Sequence, residues 1–193
     1  MTADTRPTAA DELLRARRAD SIAHPGGTLL GHLRRVQALL DAWGASLEVQ
    51  LAGLCHAFYG TDGFPTALLD ITERPVLTAV VGARAEALVY VYASCDRART
   101  YPQLGGPVVE VADRFTGQAT SPDHQALCAF VEITAANELD VIRHNQTIAT
   151  QHGPSLQRLF TEARWLLSPA AAEAWDRAVD PPAELTMDSW PPG

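Results

Sequence analysis

Two histidines set in apolar helical patterns limit what this chain can fold into. His32 falls in a stripe with Leu29, Leu33, Val36, Leu40 and Trp43, which share one face at helical spacing. His56 lies in the run Leu-Ala-Gly-Leu-Cys-His-Ala-Phe at 51–58, so apolar that its helix must be buried on most sides. A buried imidazole needs a hydrogen-bond partner or a metal, because an unsatisfied polar group inside a protein is costly. Two such histidines on successive helices can face one centre. The stretch from His24 to Phe64 holds three of the six histidines and ends in a polar loop, Tyr59-Gly60-Thr61-Asp62-Gly63-Phe64, which must pass close to that centre.

The rest of the chain carries helical punctuation. Residues 1–7 read as a flexible tail, and Thr8 with Asp11 and Glu12 reads as a capping box that opens a helix to about Asp20. The basic run at its end, residues 15–20, reads as a solvated face. His24-Pro25-Gly26-Gly27 breaks the chain, Thr28 caps the His32 helix as far as Gly44, and Ser46 opens the His56 helix. Pro65 begins a short helix, and Thr72 caps another that ends near Gly82. Residues 83–96 form a helix with Leu88, Val89, Tyr92 and Cys95 inward. Glycine and proline interrupt residues 97–120, where Val108–Val111 and a turn at Thr116-Gly117 suit a short hairpin. A long helix is expected from Ser121-Pro122-Asp123-His124 to about Gln151, with Asn137 on its inward face, stopped by Gly153-Pro154. Helices at 155–167 and 169–179 and a proline-rich tail at 181–193 complete the chain. The expectation is one all-α domain with at least six helices and at most a short β-hairpin near 105–120.

A histidine inside one helix, a second near the end of the next and an alanine–acid pair far downstream resemble the HD-domain superfamily. The resemblance covers roughly residues 13–148. It implies an HD-domain-like helical bundle and metal-dependent phosphohydrolase chemistry, with a branch of diiron oxygenases. The family pattern H…HD…D maps onto His32, His56 and a later acid, for which Ala136-Asn137-Glu138-Leu139 best resembles the family's A-D-x-L. Val111-Ala112-Asp113-Arg114 is similar to its A-D-R segment. The chain departs from the pattern twice, since the HD pair reads His56-Ala57 and the last acid reads Asn137. Both metal-holding carboxylates are therefore replaced. The chain is also similar to an HD-like subfamily in which H-(A/S)-x-Y-G-T stands for the HD pair, here His56 to Thr61.

Neutral imidazole suits Fe, Zn or Ni, and His24, His32 and His56 are the candidate ligands of one divalent metal. Two histidines alone bind weakly, so a third ligand must come from His24, Asp62, Asn137, Glu138 or Asp140. His24 and His32 would stand about 12 Å apart on an unbroken helix, but the intervening Pro-Gly-Gly lets His24 fold back. A bound ion would activate water or dioxygen. With none bound, His56 or His24 serves as acid or base and Asn137 as polariser. Asn137, Tyr59 and Asp62 are candidate substrate contacts, and Tyr90 and Tyr92 candidate pocket walls. Hydrolysis, elimination, isomerisation and oxygenation all stay open, as does a rival reading: a ligand-binding protein that kept the pocket and lost catalysis.

Composition narrows the partners. Fifteen basic residues against 23 acidic, a net charge of −8, disfavour a nucleic-acid phosphate partner, which wants a basic stripe. The apolar stretch Val76–Cys95 is interrupted by Arg84 and Glu86, so no membrane span is expected. The polar, acidic N-terminus does not read as a signal peptide. Cys55, Cys95 and Cys128, odd in number and well separated, read as reduced cysteines of a cytoplasmic protein. The expected partner is a small-molecule substrate, and a homodimer is open. P-loop, dinucleotide, nucleophile-elbow and paired-cysteine motifs do not occur.

Overall fold

The computed structural model describes residues 4–179, and the fold is all-α. Among the described residues nine helices run in order: α1 Arg6–Ala16, α2 Leu29–Ala42, α3 Leu47–Cys55, α4 Arg74–Val81, α5 Ala83–Ser94, α6 Arg97–Thr100, α7 His124–His144, α8 Gln146–Glu162 and α9 Pro169–Val179. Two antiparallel two-residue ladders interrupt them, β1 Ala23–His24 with β2 Gly27–Thr28 and β3 Val111–Ala112 with β4 Ala119–Thr120. The second is the expected hairpin. The first is an addition to the expectation, and it matters most for the site. No described helix is long and apolar enough to cross a membrane.

The helices α2, α3, α5 and α7 pack on one another around the main core, where Leu33, Val36, Leu51, Leu54, Val89 and Ile133 are buried. The α2–α3 crossing is close because Gly53 has no side chain; a Cβ there would collide with Leu40. Thr28 and Ser46 cap α2 and α3 as expected, accepting from the Gly31 and Val49 N–H groups. The helices α8 and α9 close a second small core against α7, with Phe160 and Trp175 buried beside Leu139.

Several boundaries differ from the sequence expectation, each for a local reason. Helix α1 starts at Arg6 behind Thr5, with Pro7 in its first turn, so the chain is helical where a tail was expected. Asp11 pairs with Arg15 and Arg34 instead of joining a capping box. The helix ends at Ala16, four residues short of Asp20, and Arg18 turns at φ 62°. Pro65 starts no helix, and Asp70 rather than Thr72 caps the turn leading into α4. Asp123 rather than Ser121 caps α7. The long helix breaks at Asn145, whose extended backbone and side chain recap the chain as α8. Helix α8 then runs through Gly153-Pro154, the pair expected to stop it. Its later face, with Leu156, Leu159 and Phe160, is held by α7 and α9, and that packing outweighs the lost hydrogen bond. The tail at 181–193 lies outside the described residues.

Candidate functional site

The β1–β2 hairpin brings His24 back over α2. Pro25 and Gly26 are its two central residues, and Gly26 takes φ 77°, as a proline–glycine turn of this kind requires. A larger residue would be strained and crowded there, because a Cβ would stand 2.7 Å from the His144 ring and 2.9 Å from the Arg35 guanidinium, and one or both would have to shift. Arg35 ties the turn down by donating to the Pro25 carbonyl at 3.0 Å and the Gly26 carbonyl at 3.4 Å. The His24 ring thereby stacks on that of His32, with centroids 4.0 Å apart.

His32, fully buried on α2, reaches two residues of α7. Its Nδ1 lies 2.7 Å from Asp140 Oδ2 and its Nε2 3.0 Å from Asn137 Oδ1. The Asn137 amide has only one workable orientation, because its Nδ2 donates to Glu138 Oε1 at 3.1 Å and a carboxylate can only accept. His32 therefore faces an acceptor at both nitrogens and donates from both, as an imidazolium. Asp140 also takes a two-pronged contact from Arg35, at 2.7 and 2.9 Å. Burial alone would raise the Asp140 pKa, but the hydrogen bonds from His32 and Arg35 outweigh it and hold it at about 2.

His56 follows the last turn of α3, 3% exposed, at right angles to the His32 ring (5.3 Å) and edge-on to Tyr92 (5.0 Å). Its Nδ1 donates to the Gly53 carbonyl at 2.8 Å, which leaves the lone pair on Nε2. Burial, reinforced by the charge on His32, lowers its pKa to about 3. The same two causes bring His24 down to about 4, and both rings are neutral at physiological pH.

These side chains line a cavity of about 520 Å³, walled by His24, His56, Asn137 and Glu138 and by apolar residues including Leu29, Phe64, Val141 and Ile148. Arg97, at the start of α6, also faces it. Its Nη1 donates to Glu138 at 2.9 Å and its Nη2 to the Tyr92 hydroxyl at 3.2 Å. Arg97 and Tyr101 continue into an open groove of about 450 Å³ between α6 and α8. Among the described residues, His24 Nδ1 is the buried side-chain polar atom with no hydrogen-bond partner. Among the described residues His56 Nε2 and the Tyr101 hydroxyl also make no hydrogen bond, though neither is a fully buried atom.

Of the residues singled out from the sequence, His24, His56 and Asn137 border this one cavity, and His32 stands directly behind them. Three expectations need correction. Tyr59 is no substrate contact, since it is buried away from the cavity with its hydroxyl donating to Glu86. Asp62 does not line the cavity either; it accepts from the Arg97 backbone N–H at 2.9 Å and so fixes where α6 begins. His32 cannot serve as a metal ligand as arranged, because both its nitrogens are engaged. Among the described residues no group of three or more His, Cys, Asp or Glu side chains is placed to hold an ion. The donor set does not fit the single divalent metal that the HD resemblance implies. Of the other tyrosines, Tyr90 bonds Asp113, and Tyr92 alone stands beside the histidines. Arg35, Arg97 and Tyr101 carried no role in the sequence reading. A signal existed for Arg35: His32 and Arg35, like Asn137 and Asp140, are three residues apart, so each pair shares a helix face.

Residues 13–97 match the family model described as a domain of unknown function (DUF6817), a little under half of the chain. The matched region is similar to that family over the hairpin and α2 to α5, with all three site histidines and, at its end, Arg97. Helix α7 with Asn137, Glu138 and Asp140 lies beyond it. No curated protein and no solved structure matches the chain.

Proposed function

We propose that this protein is a small-molecule enzyme on an HD-like helical framework, working by metal-free acid–base catalysis with His56 as the base. The observation that carries the reading is the state of the His56 ring. Its tautomer is set by the Gly53 carbonyl, so the Nε2 lone pair is presented at a largely apolar cavity with no protein group to satisfy it. His24 is the second proton-transfer group, neutral and likewise unsatisfied at Nδ1. His32, Asp140 and Asn137 act as positioning residues: the imidazolium supports the His24 ring by stacking and is itself held at both ends. Three cysteines without disulfides accord with a cytoplasmic setting. The second reading, a binding protein without catalysis, draws on one observation, that a base with a pKa near 3 is weak at neutral pH.

The test uses full-length protein purified without added metal. It is incubated in D2O with a panel of small ketones, esters, acids and amides, and exchange or conversion is followed by NMR. The expected result is turnover that survives EDTA, with metal content far below stoichiometric, and that falls by about 10²-fold or more in His56→Gln. A stoichiometric ion whose removal abolishes turnover would sink the metal-free mechanism. Panel members that bind without turnover, equally in His56→Gln, would establish the binding-protein reading.

A further inference from the structure

The charges gathered around the cavity do not cancel. Arg97 and Glu138 face it and neutralise each other. Behind them stand His32, an imidazolium, and Arg35, against the single carboxylate of Asp140. Three cations thus oppose two carboxylates, and His144, beside Asp140, can only add to the positive side. Of these cations His32 is fully buried, while Arg35 and Arg97 are partly exposed, in a chain whose net charge is −8. The largely apolar walls of the cavity weaken the screening of the part of this charge that faces it.

Arg97 is equipped to receive the compensating charge. A guanidinium has five N–H donors, and only two here have protein partners, Glu138 and the Tyr92 hydroxyl. The Tyr101 ring, 5.8 Å from the guanidinium carbon, lines the same cavity with a hydroxyl that has no partner among the described residues, and the remaining wall is largely apolar.

We infer that the cavity's ligand is a small monocarboxylate, its carboxylate held by Arg97 and Tyr101 and its apolar body lying against Leu29, Phe64, Val141 and Ile148 beneath His56. A dianion such as a phosphate monoester fits worse. Among the described residues Arg97 is the one Lys or Arg facing the cavity, it is already shared with Glu138, and the Glu138 carboxylate repels a second negative charge. This inference rests on the reading of the cavity as a small-molecule site. It also supplies what that reading lacks, since an anion bound near His56 offsets the charge of His32 and raises the basicity of the imidazole toward working pH.

The experiment is an NMR titration of the histidine Cε1–H signals of the full chain with three probes of one shape: phenylacetate, neutral phenylacetamide and dianionic benzylphosphonate. Phenylacetate is expected to shift the His24 and His56 signals saturably, to bind at least tenfold more tightly than either competitor, and to move the His56 titration to higher pH. Arg97→Gln should remove the preference for acid over amide, and Arg97→Lys should keep part of it. Should Arg97→Gln fail to fold, the three-way comparison on the unmodified protein decides alone. Equal binding of acid and amide, or tighter binding of the phosphonate, overturns the carboxylate inference and leaves the small-molecule site standing. If no probe perturbs either histidine, both fall.

Discussion

A neutral histidine buried beside a charged one makes stability depend on pH in a predictable direction. His56 titrates near 6.5 when the chain is unfolded and near 3 when folded, so between those values the unfolded chain binds a proton that the folded one does not. The stability contributed by the neutral ring is fully present above pH 6.5 and is lost as pH falls toward 3. The slope for this one residue approaches about 1.4 kcal/mol per pH unit. His56→Gln cannot be protonated, and urea unfolding at pH 7 and pH 5 should show it losing distinctly less stability than the unmodified protein. An unchanged difference between the two pH values would mean that the ring is not held neutral. His24 acts in the same direction, so some acid sensitivity should survive the substitution.

The elements that place these residues are short, and two of them depend on single positions. Gly26→Ala introduces a side chain at φ 77° and presses its Cβ into His144 and Arg35. A loss of about 1–2 kcal/mol is expected from the backbone alone. The hairpin carrying His24 should loosen as well, which faster amide exchange at 23–28 would report while α7 stays protected. Pro154 tests the opposite case, since it sits exposed inside α8 and removes one helical hydrogen bond. Pro154→Ala should therefore stabilise the protein by about 1–3 kcal/mol in denaturant unfolding, recovering much of the usual cost of an interior proline. No gain would indicate that α8 is already distorted enough to accommodate the ring.

At the scale of the whole molecule, the three thiols report on cooperativity. Cys55 and Cys95 are buried and Cys128 is half-buried; none is in a disulfide. Burial raises the pKa of all three, most strongly at Cys55. A thiol reagent at pH 8 should modify Cys128 first, with Cys55 reacting only at the rate of global unfolding, because it lies in the core shared by α2, α3, α5 and α7. Rapid labelling of Cys55 without unfolding would show that the helices around the cavity open independently of the rest.

The sequence by itself determined the local steps. The stripe around His32, the apolar run before His56 and the caps at Thr28 and Ser46 are written in neighbouring residues, and α2 and α3 begin where those caps lie. The inward placing of His32, His56 and Asn137 was legible for the same reason, since helical periodicity depends only on spacing. Packing decided the rest. Whether Pro154 ends a helix depends on what α7 and α9 offer beyond it, and whether Ser121 or Asp123 caps α7 is a contest between two equally able residues two positions apart. The expected set of metal ligands could not be checked against spacing alone. His32 meets Asp140 and Asn137 across 105 to 108 residues of chain, and that meeting leaves its nitrogens no room for an ion. Arg97 was illegible as a site residue because α6 is one turn long, placed by an Asp62 carboxylate 35 residues earlier. A side chain's neighbours along the chain set its helix and its face; its charge partners, and so its chemistry, come from elements that only the tertiary fold brings together.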